Sequence, residues 1–402
     1  MPPKRRKARK VRVDFRQNRQ QRRRSDDWTR RYQDDQDKVV DQRLSESVRA
    51  KGELSRKRTV IRDEEDAPVV DETLWQRGVV TAVHGLICRV DDEQDRHWDC
   101  TARRVLRTLL IEQRASVTVG DRVWFSDHSK MDDGEAVGVI ERVDERTTVL
   151  SRRDRRKREH TIVANADQLL IVASIAQPAL KPHLIDRYLV AAARGDLRPV
   201  ICFNKCDLEP EAVELEQDLT PPALPGDGAG RPSIDDLFQE FRALGYRCLR
   251  ASATQRIGLD ELRHELVGHM TVLSGQSGVG KSSLINALQP DLNLRVEEVS
   301  SDTEKGRHVT SNARLLGLDF GGWVVDTPGI RQFDLWSVAP GELEACFVEF
   351  IPHVRNCHFN DCHHQQEEGC AVIAAVETGE ISVRRYYSYL KMLEEMAREQ
   401  RK

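Results

Sequence analysis

Between Trp75 and about Leu150 the chain alternates short apolar runs with polar turns: Gly78–Val83, Leu86–Val90, Val119–Phe125 and Ala136–Ile140. Several strands of this length in so short a stretch predict a small β-barrel, read here as an OB-fold. From about Ile162 the pattern changes. Leu169–Ala173 and Pro199–Phe203 are continuously apolar, and Thr271–Leu273 and Trp323–Val325 are shorter runs of the same kind, as expected of buried strands in an open α/β sheet. His183–Arg194 carries apolar residues at helical intervals, and Ser283–Leu288 is compatible with a helix. After Leu335 the pattern is mainly helical. In its last segment, Val383–Met396, Tyr386, Leu390 and Leu393 share one face, which favours packing over base stacking for Tyr386.

These changes divide the 402 residues into a basic, disordered extension (1–70), an OB-fold RNA- or ribosome-binding domain (71–158), an α/β domain (159–334) and a helical metal-binding domain (335–402). Thr220–Gly230, rich in Pro and Gly, reads as a loop insertion. No apolar run is long enough to span a membrane, and no internal repeat is evident. The chain is nearly neutral, with 63 basic and 66 acidic residues, so the basicity of Lys4–Lys10 and Arg22–Arg24 is local. Such an arm suits a phosphate backbone, and it equally suits a solubilising tail. Arg103, Arg104 and Arg107 leave the same two readings open, a phosphate contact or a solvated strand edge.

The strongest chemical signal is a set of nucleotide motifs in an unusual order. Gly275-Gln276-Ser277-Gly278-Val279-Gly280-Lys281-Ser282 is a complete phosphate loop, preceded by a strand-like run and followed, from Ser283, by a helix-like one. Its glycines allow backbone N–H groups to converge on a β-phosphate, Lys281 is placed to reach the β/γ-phosphates, and Ser282 suits a Mg2+ ion. Asn204-Lys205-Cys206-Asp207, the guanine-reading pattern, comes before this loop, whereas in ordinary small GTPases it comes after. The order implies a circularly permuted P-loop α/β GTPase domain. Asp207 is the expected base discriminator, since a carboxylate accepts both the ring N–H and the exocyclic amine of guanine. Ser252-Ala253-Thr254 resembles the supporting guanine-side motif, although it is short.

Asp326-Thr327-Pro328-Gly329 ends the run from Trp323 and suits a Mg2+ contact through water, with the Gly329 N–H at the γ-phosphate. Lys305–Thr310 has the composition of a mobile loop and offers Thr310 to the same ion. Ile330 stands where many GTPases carry the Gln that orients water, so another group must do so. His308 is the nearest in sequence; it can accept a hydrogen bond from water, or serve partner binding or structure.

Cys357, Cys362, His364 and Cys370 supply three thiolates and one imidazole within fourteen residues, a ligand set for a closed, structural Zn2+ site. His353, His358 and His363 are less economical alternatives. With nine cysteines, no signal peptide and GTPase motifs, a reduced, cytoplasmic setting is expected in preference to a disulfide framework.

Taken together, residues 75–396 resemble the bacterial family of ribosome small subunit-dependent GTPase A, RsgA/YjeQ, with its OB-fold, permuted GTPase and C-terminal zinc domain. Asn165-Ala166-Asp167, Ile185–Leu189, Gly306-Arg307-His308 and the Cys/His spacing add to the likeness. The resemblance implies hydrolysis of GTP to GDP and phosphate, stimulated by the 30S subunit during its late maturation, with 16S rRNA contacts near the decoding region and release after hydrolysis. It implies a monomer with Mg2+ and one Zn2+, a His308 that activates water, and Ile330 as the hydrophobic replacement for Gln. Val309 departs from the paired threonines common in the family, while Thr310 keeps the second hydroxyl. Two other readings remain: a GTP-dependent RNA-binding switch in translation that does not act in maturation, and a zinc-stabilised RNA scaffold with vestigial nucleotide binding.

Overall fold

A computed structural model describes residues 9–14, 57–62, 74–103, 117–129, 136–153, 159–211, 233–294, 313–326 and 340–400. The chain forms two compact units, Met1–Asp71 and Glu72–Lys402. In the first, β1 (Arg9–Asp14) pairs antiparallel with β2 (Lys57–Arg62). Composition predicts disorder across this stretch, but Arg-Lys-Val-Arg-Val-Asp and Lys-Arg-Thr-Val-Ile-Arg both carry β-branched residues that favour extended pairing. The remainder of the basic arm, Arg104, Arg107 and the insertion at Thr220–Gly230 lie outside the described residues.

The second unit opens with a barrel of five strands: β3 (Trp75–His84), β4 (Ile87–Asp92), β5 (His97–Ala102), β6 (Arg122–Asp127) and β7 (Val137–Val143). They pair in the order β3-β4-β5-β7-β6, and β6 returns to β3; only the β5–β7 pair is parallel. Val80, Val90, Trp98, Phe125 and Ile140 fill the interior. The strand expected from Val119 begins only at Arg122, because residues 118–121 form a tight turn. Asp121 accepts from the Thr118 N–H and is paired with Arg146 at 2.8 Å, while Gly120 has φ +86°. A Cβ at Gly120 would lie 2.0 Å from the Ala164 carbonyl, so this turn is pressed against the next element.

That element is the hairpin of β8 (Val149–Arg153) and β9 (Glu159–Ala164), followed at once by the α/β sheet. Asn165 fastens the joint: its side chain donates to Gly120 O and accepts from Thr147 N, both at 2.9 Å. Asp167 accepts from the Met270 N–H at 2.6 Å within the sheet, so in the family-like Asn-Ala-Asp triplet Asn165 ties the joint to the Gly120 turn and Asp167 ties two sheet strands together.

The sheet contains β10 (Gln168–Ser174), β11 (Arg198–Asn204), β12 (Arg247–Ala251), β13 (Met270–Ser274), β14 (Arg314–Gly317) and β15 (Trp323–Asp326). Their order is β12-β11-β10-β13-β15-β14, parallel except for β14, which joins the barrel through one register pair with β3. Leu169 and Ile171 face one apolar layer, with α1 (Pro182–Arg194) and α2 (Ile234–Ala243). Leu170 and Val172 face the other, with α3 (Leu259–Leu266) and α4 (Lys281–Leu288). Burial on both faces is why these strands read as unbroken apolar runs.

The C-terminal region consists of α5 (Pro340–Leu343), α6 (Ile351–Val354), α7 (Ala371–Glu377) and α8 (Val383–Gln400). Phe347, Phe350, Tyr389 and Met392 form its core, and Val190 of α1 packs into it. A buried charge cluster fixes α8 to α1. Arg384 and Arg385 donate to the two oxygens of Asp186 at 2.8 and 2.7 Å, and they also engage Glu240 and Glu349. Burial opposes ionisation of Asp186, yet the two guanidiniums outweigh it and hold its pKa below the usual value. Removing one member would leave buried charge unpaired, at a cost of roughly 3–5 kcal/mol. Among the described residues no helix is long and apolar enough to cross a membrane.

Candidate nucleotide site and metal cluster

The parallel strands deliver the sequence motifs to one edge of the sheet. β11 ends at Asn204, β12 at Ala251, β13 at Ser274 and β15 at Asp326. Ligands of open α/β sheets gather outside such carboxyl ends.

Gly275, Gly278 and Gly280 have φ of +141°, +80° and +93°, which lets residues 275–280 curl between β13 and α4. Val279 is turned into the core and anchors the curl. Gly280 caps α4 with no side-chain hydrogen bond, so no side chain competes with an anion for the first-turn N–H groups of Lys281, Ser282 and Ser283. The Lys281 ammonium bridges the loop, donating to the carbonyls of Gly275 and Gln276 at 2.8 and 2.9 Å. Ser277 lies within the same curl.

The guanine-side motif meets this loop directly. Asn204 Nδ2 donates to Val279 O at 2.7 Å. Lys205, with φ +61°, donates to the main-chain carbonyl of Gln177; burial lowers its pKa, opposed by Asp207. Ser252 and Ala253 follow β12 in the chain. Ser252 Oγ lies 3.1 Å from Thr254 Oγ1, which reaches Asp207 Oδ2 at 3.4 Å. Asn204 Oδ1 and Asp207 Oδ1 are buried with no hydrogen-bond partner among the described residues. A buried acceptor without a donor costs about 1–3 kcal/mol, and the N–H groups of guanine are donors of the right kind for a carboxylate.

Asp326 is held in its uncharged form more than usual by burial, against the pull of Arg314 and Lys281. The Ser282 hydroxyl and the Asp326 carboxylate are hard oxygen donors of the kind Mg2+ takes. Lys305–Thr310, with His308, Val309 and Thr310, and Thr327–Ile330, with Gly329, lie outside the described residues.

A second cluster lies in the C-terminal region. The ligand atoms of Cys357, Cys362, His364 and Cys370 all fall within 4.8 Å of one another. His364, at φ +57°, turns Nδ1 towards Cys357 Sγ (3.6 Å) and Cys370 Sγ (3.4 Å), while Nε2 meets Glu344 Oε2 at 2.8 Å. Tyr386 packs against the C-terminal core, and the Tyr386 and Tyr389 hydroxyls donate to the carbonyls of His364 and His363 at 2.7 and 3.1 Å. Burial pushes the Cys362 thiol up to about 12 and raises Cys370 as well. A cation among the thiols relieves that penalty by favouring the thiolates, so the donor set fits a soft or borderline metal. His353, His358 and His363 are not in the cluster.

A family model described as RsgA GTPase matches residues 143–336. The small ribosomal subunit biogenesis GTPases RsgA of Yersinia enterocolitica and Sodalis glossinidius are 37% and 36% identical to the chain over 324 residues. Those alignments cover 80% of this chain and 85% and 86% of the relatives. The chain belongs to the RsgA family. Its structure is similar to that of YjeQ from Thermotoga maritima, with a TM-score of 0.61 and 34% identity over 81% of this chain and 99% of that one. It is also similar to YloQ, described as a circularly permuted GTPase, with a TM-score of 0.58 and 27% identity over 83% of this chain and 99% of that one. The fold of this RsgA family member is thus a circularly permuted GTPase with an N-terminal β-barrel and a helical C-terminal region.

Sequence patterns alone do not single out Glu344, and they place Thr254 in the guanine-side motif without revealing its contact to Asp207. Glu344 sits in an acidic stretch with Glu342 and Glu349, and only the folded chain shows which carboxylate meets His364. Thr254 reaches Asp207 because β12 lies beside β11, a neighbourhood that spacing in the sequence does not reveal.

Proposed function

We propose that this RsgA family GTPase acts in late maturation of the small ribosomal subunit, hydrolysing GTP to GDP and phosphate when the 30S subunit stimulates it. The observation that carries this is the convergence of Asn204, Asp207, Ser252, residues 275–283 and Asp326 at the carboxyl edge of one sheet. Its relatives carry the name small ribosomal subunit biogenesis GTPase.

In this proposal Asp207 reads guanine, with Asn204, Lys205, Ser252 and Ala253 shaping the base pocket. The N–H groups of residues 276–283 bind the phosphates, and Lys281 exchanges its two loop carbonyls for β- and γ-phosphate oxygens. Ser282 and Thr310 would hold Mg2+, with Asp326 acting through water, and the ion would neutralise phosphate charge. Water attacks the γ-phosphorus as the bond to the β–γ bridging oxygen breaks. His308 orients that water, since Ile330 cannot, and the Gly329 N–H steadies the γ-phosphate.

The closure order β3-β4-β5-β7-β6-β3 supports an OB-fold reading of the barrel, whose family role is rRNA binding. Arg77 stacked on Trp124 at 4.6 Å offers a cationic, aromatic surface of the kind that suits RNA. Cys357, Cys362, His364 and Cys370 hold one structural Zn2+, with Glu344 orienting the imidazole. The protein works as a cytoplasmic monomer on 16S rRNA.

The test is phosphate release by the full chain with and without purified small subunits, paired with depletion in cells. Stimulated release and accumulation of precursor subunits are expected. Unstimulated release with normal maturation overturns the proposal.

A further inference from the structure

Helix α8 holds the metal cluster with one face and the GTPase domain with another. Arg384, Ser388 and Glu395 fall within about 40° of one another around its axis, whereas Tyr386 and Tyr389 lie about 140–200° away from Arg384. On the first face Arg384 bridges Asp186 of α1 at 2.8 Å and Glu240 of α2 at 2.7 Å, Ser388 meets His183 at 2.6 Å, and Glu395 pairs with Arg187. On the other, the hydroxyls of Tyr386 and Tyr389 end on the carbonyls of His364 and His363, in the stretch that carries the metal ligands. A second line of contacts runs the same way. Glu344 meets His364 Nε2, and in the same segment Glu349 takes Arg385, whose other partner is Asp186.

We propose that metal loading of the Cys357, Cys362, His364 and Cys370 cluster and docking of the C-terminal region on α1 and α2 are one coupled equilibrium, with α8 as the strut between them. His364 has φ +57°, a conformation that is costly for a residue with a Cβ and persists only where its surroundings over-determine it. Glu344 fixes its imidazole, Tyr386 its carbonyl, and Tyr389 the carbonyl before it. All three come from segments that also grip the cluster of Asp186 and Arg385. Undocking therefore takes from the ligand stretch the groups that preset it for an ion. In the other direction, an ion that draws the thiols and the imidazole together fixes both carbonyls. That secures the hydroxyl of Tyr389, which is fully buried and needs an acceptor. Docking then gains from the ion the same free energy that docking adds to the ion's affinity.

The inference rests on reading the four residues as a zinc site, and the experiment separates the two. In the full chain, Zn2+ affinity is measured by competition with a chromophoric chelator, and docking is followed by hydrogen exchange of the α1 amides with Zn2+ bound and after its removal. Arg384→Gln should weaken Zn2+ binding about three- to tenfold and Ser388→Ala about two- to threefold, although neither side chain belongs to the ligand set. In a Tyr386→Phe background the Arg384→Gln factor should shrink, because the strut is already cut at its other end. Removal of Zn2+ should raise exchange along α1 while β10 and β11 stay protected. Should Arg384→Gln unfold the C-terminal region, Ser388→Ala replaces it in the cycle.

Wild-type Zn2+ affinity in both Arg384→Gln and Ser388→Ala, or α1 exchange that is indifferent to Zn2+, overturns the coupling. An Arg384→Gln factor that is the same with and without the Tyr386 hydroxyl overturns α8 as its carrier. A wild-type chain that takes up no Zn2+ removes the metal-site reading itself.

Discussion

Asn204 and Gly280 occupy the same corner of the site: a Cβ on residue 280 would lie 2.4 Å from Asn204 Nδ2, which is donating to the neighbouring Val279 carbonyl. Parallel strands β11 and β13 thus interlock their terminal loops although the chain visits them in reversed order. Nothing in that contact depends on which strand comes first, which is the physical reason a permuted chain can assemble the same site.

Gly280→Ala should therefore act on both motifs at once. The new methyl group meets Asn204, and φ +93° is strained for any residue with a Cβ. A combined cost of ~1–3 kcal/mol predicts a loss of GDP affinity of roughly tenfold or more. Calorimetric titration of GDP measures it, and wild-type affinity would mean that the loop relaxes without disturbing Asn204.

For Asp207→Asn the expectation is a change of preference. The amide cannot accept both donors of guanine, but it pairs with xanthine, so the GTP-to-XTP affinity ratio should fall about a hundredfold. Thr254→Ala, which removes the 3.4 Å contact to Asp207 Oδ2, should move the ratio in the same direction by a few-fold. Competition binding with both nucleotides gives the ratio, and an unchanged value for Asp207→Asn removes it as the base reader.

The strands of the sheet are legible in the sequence because burial on both faces gives Leu169–Ala173 and Pro199–Phe203 an unmixed apolar composition. The phosphate loop is legible because each glycine answers a backbone requirement that other residues meet poorly. Other features depend on contacts between distant segments. Val119 looks like the start of a strand, and only Asp121, Arg146 and the approach of Ala164 turn it aside. Arg384 and Arg385 look like ordinary solvated charges of a terminal helix, and their burial follows from Asp186, 198 residues away from Arg384 in the chain. The pairing of β1 with β2 is likewise long-range and hidden by the basic composition around it.

Asp92 gives the barrel a pH dependence with a definite sign. Burial works against its charge, but the N–H groups of Arg96 and Gln94, the Trp98 indole and the Arg96 guanidinium bring its pKa down to about 2, below the ordinary 3.8. A depressed carboxylate stabilises the fold above the ordinary value and loses that contribution as pH falls through the folded one. The barrel should thus keep the full contribution of this group above about pH 5 and lose roughly 1–2 kcal/mol from it between about pH 4 and 2. Acid titration of wild type against Asp92→Asn, followed by Trp fluorescence, isolates the effect. Identical acid profiles would show that Asp92 does not carry it.

Cys357→Ser tests the C-terminal cluster, because it replaces one soft thiolate among four donors with a hard, weakly binding hydroxyl. Metal content should fall and protease resistance of residues 340–400 with it, since binding energy at a structural site is folding energy. Glu344→Gln is the sharper comparison. It keeps every donor but weakens the 2.8 Å hold on His364 Nε2, so zinc affinity should drop about 10- to 100-fold while the folded, zinc-saturated region melts near the wild-type temperature. Competition with a chromophoric chelator measures the affinity, and protease digestion at saturating zinc measures the fold. Full zinc retention in Cys357→Ser would remove Cys357 from the ligand set. Unchanged affinity in Glu344→Gln would show that the thiols and the Tyr386 contact already fix the imidazole without the carboxylate.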